Sequence, residues 1–362
     1  MTNPIQQLRE VGQSIWLDTI TRDLLTSGGL VRYRDEFSVT GLTSNPTIFD
    51  NAIRNSTSYD EEIRRKFKAG KSVEDLFFEL ALADLIQAAD LFRPIYDATG
   101  GVDGWVSLEV SPLLASHTDG TVDAARQLYR RAARPNFFIK IPGTPEGITA
   151  VEESIFAGVP INVTLLFSRE QYLAAAEAYL RAIERRLTAG LQPDVHSVAS
   201  LFVSRWDKAV MDRTPRALRD RLGIAVAKQT YQAYRNLLDS PRWRKLATAG
   251  APIQRLLWAS TGTKNPFASD VLYVNALAAP DTINTVPEVT LNAFADHGTV
   301  DGVLPLDGGD ADAELASFAG SGVDVDALAK QLQREGTDTF EVAWSDLLQR
   351  IVQKSDALSN AA

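Results

Sequence analysis

Six polar residues stand inside runs that are otherwise apolar or β-branched, and their types are those of carbonyl chemistry. Lys140 lies in NFFIKIP (136–142), Glu109 in WVSLEVS (105–111) and Asp18 in SIWLDTI (14–20). Asn162 and Thr164 lie in INVTLLF (161–167), and Ser200 in VASLFVS (198–204). A lysine amine ordinarily titrates at ~10.4 and becomes a competent nucleophile toward a carbonyl when desolvation lowers that value. Phe137, Phe138, Ile139 and Ile141 predict such surroundings for Lys140. An imine also needs proton carriers, because the carbinolamine must lose water and a substrate hydroxyl must lose its proton when a carbon–carbon bond breaks. Asp18 and Glu109, on different runs, would serve. Taken singly, a buried lysine is more often an ion-pair partner or a snorkelling chain, and a buried carboxylate a hydrogen-bonded structural group. Three such groups facing one another tilt the reading to catalysis.

If the ligand is anionic, the cations to hold it are Arg205, directly after VASLFVS, and Lys264 in WASTGTKNP, after the next core run. A surface cation is usually a solvated charge; the shared position of these two after strands argues otherwise. Ser260 and the backbone amides of the Gly262 turn would complete a phosphate cradle. Metal chemistry lacks support: His117, His196 and His297 are scattered, no HxH or HExxH spacing occurs, and there is no cysteine. Neither GxGxxG nor GxxxxGK[ST] is present. The expectation is an enzyme with no metal and no organic cofactor.

The elements that must position these residues follow from the pattern. Eight short apolar runs, the five named above with FSVTGLT (37–43), IQRLLWAS (253–260) and DTINTVP (281–287), alternate with segments of helical period. They are apolar on both faces, as strands between a barrel interior and surrounding helices must be. The expected fold class is α/β, a single (β/α)8 TIM-type barrel in which reactive groups gather at the C-terminal ends of the strands. Helix punctuation is legible: Ser168 as N-cap with Gln171 three residues on and Gly190 past the end, and Tyr172, Ala176, Tyr179, Ile183 and Leu187 as one apolar stripe. After Ser72, residues Val73, Leu76, Phe77 and Leu80 repeat the design. From Gly298 the texture turns Gly/Asp-rich (DGVLPLDGGDADAE), and two helices are predicted near 324–334 and 338–354. The catalytic barrel is therefore expected over 1–297 and a helical extension packed on it over 298–362.

At 45% hydrophobic and 23% charged residues, the chain can bury a sizeable core and does not resemble disordered or membrane sequences. A net charge of -9 disfavours nucleic acid and anionic membranes as partners. The segment MTNPIQQLREVGQSIW lacks the basic start and apolar stretch of a signal peptide, and no apolar run nears the ~20 residues of a membrane helix. A soluble, cytoplasmic protein is expected. Its oligomeric state stays open, a homodimer among the options.

These residues carry a family resemblance. Over roughly residues 10–295 the sequence resembles the transaldolases, in particular the longer bacterial type. GLTSNPTIF (41–49) is similar to the family's TTNP motif, and NFFIKIPGTPEG (136–147) to the segment bearing its Schiff-base lysine; INVTLLFS, ASLFVSRWD and WASTGTKNP match in order. The resemblance implies that Lys140 forms the imine, that Asp18 is acid and base at the cleaved hydroxyl, and that Glu109 with Thr164 positions a catalytic water. It further implies that Asn45, Asn162 and Ser200 hydrogen-bond the sugar, that Thr43 and Phe202 line the site, and that Arg205, Ser260 and Lys264 hold phosphate. The implied reaction moves a three-carbon ketol unit from sedoheptulose 7-phosphate or fructose 6-phosphate to glyceraldehyde 3-phosphate or erythrose 4-phosphate. Lys264 stands where many relatives carry arginine, and Trp105 and Ser111 flank Glu109 where arginine and aspartate are expected. A biosynthetic transaldolase-like enzyme of shifted substrate preference therefore stands as an alternative. So does a fructose-6-phosphate aldolase, although glutamine is expected in that enzyme at the position of Glu109. A non-catalytic sugar-phosphate binder would have no reason to combine Lys140, Asp18 and Glu109.

Overall fold

All eight predicted runs form strands, and the strands close on themselves. A computed structural model describes residues 3–360 of the chain. Its strands are β1 (Gln13–Leu17), β2 (Val39–Leu42), β3 (Val106–Glu109), β4 (Phe137–Pro142), β5 (Ile161–Leu166), β6 (Ser197–Phe202), β7 (Arg255–Ala259) and β8 (Thr282–Val286). They pair in sequence order, all parallel, with β8 returning to β1 to complete an eight-stranded barrel ringed by helices. Each strand is shorter than the run that announced it, so Asp18, Arg205 and Ser260 lie just past strand ends, where the C-terminal mouth opens.

Side chains alternate between the two faces of a strand, and this divides the core into two layers. Phe137, Ile139 and Ile141 of β4 belong to the large apolar layer between strands and helices. Phe138 instead joins Trp16, Trp105, Val198, Leu257 and Ile283 inside the barrel. Lys140 follows Phe138 by two residues and therefore points inward as well. This corrects the expectation that all four apolar neighbours desolvate the amine: three of them face away from it. Trp105 and Phe138 stack with ring centroids 4.0 Å apart, and Trp16 packs against Phe138 at 6.3 Å. That plug fills the N-terminal half of the bore. Gly41 is part of its design, since a Cβ there would lie 2.9 Å from the Trp16 ring and 2.5 Å from the Trp105 carbonyl.

The helix Arg169–Thr188 starts as expected, with Ser168 accepting from the Gln171 amide. Gln171 differs from a capping box in one detail, accepting from the Phe167 N–H at 2.7 Å rather than from that of Ser168. The helix after Ser72 runs from Val73 to Ala98.

The C-terminal region departs more from expectation. The Gly/Asp-rich connection contains a helix, Ala311–Gly320, and the two predicted helices are one continuous helix of 36 residues, Val325–Asn360. Gly336 falls between the two predicted segments. It does not interrupt the helix; it lets the helix approach the barrel, because a Cβ there would meet Leu165 Cδ2 at 3.0 Å and Arg205 Nη1 at 3.3 Å. Leu328, Leu332, Phe340, Trp344, Leu347 and Ile351 are buried along one stripe through Gly336. Trp344 packs against Phe77 and Phe78 with centroids 5.0 and 5.5 Å away. Gln333 donates to the carbonyls of Gly143 (2.8 Å) and Leu165 (3.0 Å), Arg350 pairs with Asp50 at 2.7 Å, and Lys354 with Asp60 at 2.7 Å. The helix thus lies across the mouth of the barrel. Among the described residues, no helix is long and apolar enough to cross a membrane.

Candidate active site

Strand register brings the chemistry together. Glu109 of β3 pairs with Lys140 of β4, and Lys140 with Asn162 of β5, so the three side chains are neighbours on the inner wall. The Lys140 amine sits 3.3 Å from Glu109 Oε2 with both side chains about 95% buried, their exposures being 6% and 5%. This is an ion-pair contact; among the described residues Glu109 Oε2 has no aligned hydrogen-bond donor. The Lys140 amine donates instead to the Ser44 carbonyl at 3.3 Å. Burial pushes the Glu109 carboxyl up from its ordinary range, and the Lys140 charge beside it acts in the opposite direction. Burial likewise pushes Asp18 up, opposed by Lys140, by a hydrogen bond from Thr43 and by Lys264.

Asp18 is held by a short hydroxyl chain. Thr43 donates to Asp18 Oδ1 at 2.7 Å, and its hydroxyl lies 2.7 Å from that of Thr285. Because the single Thr43 proton is committed to the carboxylate, Thr285 is the donor to Thr43. A second chain runs below: Ser200 donates to Asn162 Oδ1 at 2.7 Å, and Asn162 Nδ2 to Ser107 Oγ at 3.2 Å. Thr164, fully buried, has a hydroxyl with no protein partner among the described residues. A hydroxyl so placed on the wall of a cavity can bond a reacting oxygen.

One cavity of about 230 Å³ at the C-terminal mouth is lined by Lys140, Asp18, Thr43, Asn45, Thr164, Ser200, Phe202, Arg205, Ser260 and Lys264. Glu109 and Asn162, the other two predicted residues, sit in the wall beneath it. Two larger hollows exist. The one of about 650 Å³ lies beside the helix Ala311–Gly320 and the one of about 530 Å³ at the opposite pole of the barrel. Neither is lined by a lysine. Asn45 has a structural duty too, since its Oδ1 accepts from the Ile48 amide at 3.0 Å and caps the helix Pro46–Asn55, leaving its Nδ2 for the cavity. At the rim, Ser260 adopts a left-handed backbone with φ 56° and its hydroxyl lies 2.9 Å from that of Ser204. Arg205 and Lys264 are close enough to feel each other: burial pushes both cations down, and Arg205 adds to the effect on Lys264. Among the described residues neither forms an ion pair, although Glu109 and Glu335 act on Arg205 and Asp18 on Lys264 from further off, and a bound anion would relieve the repulsion between the two cations.

The family model described as Transaldolase/Fructose-6-phosphate aldolase matches residues 15–351. The chain belongs to that family. Among curated relatives it is 44% identical over 360 residues to a protein named Transaldolase from Parafrankia sp. (strain EAN1pec), covering 97% of this chain and 98% of the relative. It is 44% identical to a Transaldolase from Thermobifida fusca (98% and 99% covered) and 38% identical to a Transaldolase 2 from Nostoc punctiforme (99% of each).

Sequence reasoning about this family member missed several cavity residues. Thr285 carried a signal, being polar within a strand run and in phase with inward-facing Ile283, just as Ser107 is in phase with Glu109. Phe340 and Thr339 line the cavity from the C-terminal helix, and nothing in their local sequence marks them. The histidines are elsewhere. His117 caps the helix Thr118–Ala132, His196 packs on Trp105 at 5.0 Å, and His297 lies between Asp270 and Asp296 on the surface. Among the described residues, no group of three or more His, Asp or Glu side chains is arranged to hold a metal ion.

Proposed function

We propose that this protein is a transaldolase that moves a dihydroxyacetone unit between phosphorylated sugars through an imine on Lys140. The observation that carries the reading is one buried amine, 3.3 Å from Glu109, in a cavity that also holds Asp18 and a rim of two cations. In the proposed cycle the amine gives its proton to Glu109, the nearest carboxylate, and adds to the ketone carbon of the donor. The carbinolamine then loses water, with Glu109 and the free Thr164 hydroxyl managing that oxygen. Asp18 removes the proton of the hydroxyl on the carbon to be released. The bond electrons flow into the protonated imine, an aldose phosphate leaves, and an enamine remains on Lys140. The enamine carbon then attacks the acceptor aldehyde, Asp18 returns the proton, and hydrolysis frees the amine.

Burial supports the assignment of Asp18 as base, because a carboxyl held above its usual range is better matched to a proton from carbon-bound oxygen. Asn45, Asn162 and Ser200 are assigned to the sugar hydroxyls, Thr43 and Phe202 to the wall, and Arg205, Ser260 and Lys264 to phosphate. We assign the chain to the non-oxidative pentose phosphate interconversions of the cytoplasm, with no cofactor. The test is reduction: borohydride added with fructose 6-phosphate inactivates the protein and leaves a covalent three-carbon adduct on the peptide containing Lys140. An adduct on another lysine, or none, overturns the reading.

A further inference from the structure

Arg205 leaves the end of β6 on the first turn of the helix Ser204–Val210. It makes no hydrogen bond or ion pair to any described residue, yet its guanidinium is not loose. The Phe202 ring centroid lies 5.0 Å from its Cζ and the Phe340 ring centroid 5.7 Å from it. Phe340 belongs to the C-terminal helix, and Gly336 stands one turn before it on the same face. A Cβ on Gly336 would come within 3.3 Å of Arg205 Nη1, so the missing side chain makes the slot that the guanidinium fills. The same Phe340 ring lies 5.8 Å from the Lys140 amine. Stacking on two aromatic faces uses the flat sides of a guanidinium and leaves its N–H edge for a ligand.

We infer that Phe340 and Gly336 of the C-terminal helix are positioning residues that hold the Arg205 N–H edge toward the cavity and so select phosphorylated over unphosphorylated sugars. The inference rests on the reading of the cavity as a sugar-phosphate site. It places a specificity element more than 130 residues after the cation it serves, in a helix that contributes no acid, base or nucleophile. The two residues act by opposite means: the ring supplies a face, and the glycine withholds an atom.

The test uses the full-length protein, Phe340→Leu and Gly336→Ala, with saturating fructose 6-phosphate as donor. Glyceraldehyde 3-phosphate and glyceraldehyde are compared as acceptors. Leucine keeps apolar volume but removes the π face; alanine keeps the ring but intrudes on the slot. In both variants KM for glyceraldehyde 3-phosphate rises by about 5- to 10-fold, between the scales of an exposed and a fully desolvated cation–π contact. Whatever either substitution does to turnover itself is common to both acceptors, so the ratio of kcat/KM for glyceraldehyde 3-phosphate to that for glyceraldehyde, which has no phosphate for Arg205 to hold, falls by the same about 5- to 10-fold. Equal losses with both acceptors would mean a merely structural role and overturn the inference, as would no loss with either. Calorimetric titration with inorganic phosphate gives a readout independent of turnover. Binding that weakens in both variants supports the inference even if wild type fails to transfer, an outcome that would sink only the transaldolase reading. Phosphate affinity equal to wild type in both variants overturns it.

Discussion

Thr43→Val isolates what the hydroxyl chain does for Asp18. The substitution keeps the shape of the side chain and removes the proton that Thr43 donates to Asp18 Oδ1 at 2.7 Å. A hydrogen bond to a charged group contributes about 1.5–3 kcal/mol. Part of that is recovered here, because the Thr285 hydroxyl, freed from Thr43, stays nearby and Asp18 faces the cavity, where water can replace the donor. About 1 kcal/mol of carboxylate stabilisation is left to lose, which is roughly a fivefold change in the ratio of ionised to neutral Asp18. The sign is fixed: the bond favours the charged form and holds the Asp18 carboxyl down against burial, so removing it lets the carboxyl rise further. A base that is harder to ionise is lost at higher pH. The acid limb of the kcat/KM profile for transfer therefore moves to higher pH in Thr43→Val, with a deficit of about fivefold well below the limb that narrows as pH rises. Thr43→Ser, which restores the donor, returns the limb toward wild type. A limb that stays in place or moves to lower pH would refute the idea that this hydrogen bond tunes the base, and so would failure of serine to restore it.

Two further outcomes follow from burial. Asp18 is raised in the folded protein, so its ionisation opposes folding: stability is greatest below the ordinary carboxylate range of ~3.9 and is lost as pH rises through the higher folded value. Asp18→Asn removes that loss, and its thermal midpoint lies above that of wild type at neutral pH, the difference shrinking as pH falls toward the ordinary range, while transfer activity disappears. A midpoint below wild type at neutral pH would contradict it. Trp344→Ala strips the helix across the mouth of its contacts with Phe77 and Phe78. Large-to-small changes of this kind cost about 3–5 kcal/mol, and the lower end applies because the indole N–H it removes has no hydrogen-bond partner among the described residues. Urea unfolding followed by fluorescence reads the loss, and an unmoved midpoint would mean that the helix is not docked through Trp344.

The barrel was legible because its strands are buried on both faces. A residue such as Lys140 within FFIKIP has no solvent to reach on either side, so its polarity is a signal in itself. The same logic exposed Asp18, Glu109, Asn162, Thr164 and Ser200, and the position of Arg205 directly after its run marked the mouth. The face of each strand was less legible. Phe137, Phe138, Ile139 and Ile141 read alike, and only the phase set by Lys140 separates one inward ring from three outward side chains. The C-terminal helix was misread for a different reason. Gly336 lowers helix propensity by about 1 kcal/mol relative to alanine, which locally resembles a break; the contact that offsets the cost, the close approach to Leu165 and Arg205, is made with residues far away in sequence. Phe340 could not be found for the same cause.

The change of composition at Gly298 therefore marks a change of role and leaves the site undivided. Below the reacting groups the bore is filled by Trp16, Trp105 and Phe138, all from the segment before it. Above them the cavity is walled by Thr339 and Phe340, from the segment after it. The amine of Lys140 lies between the two, within 3.3 Å of one carboxylate and under an aromatic ring. In the proposed cycle an enamine waits on Lys140 for its acceptor, and a floor of stacked rings with a wall from a docked helix narrows the space around it. Residues 1–297 hold every proposed nucleophile, acid, base and phosphate ligand, and the segment after them completes the wall of the cavity in which those groups meet.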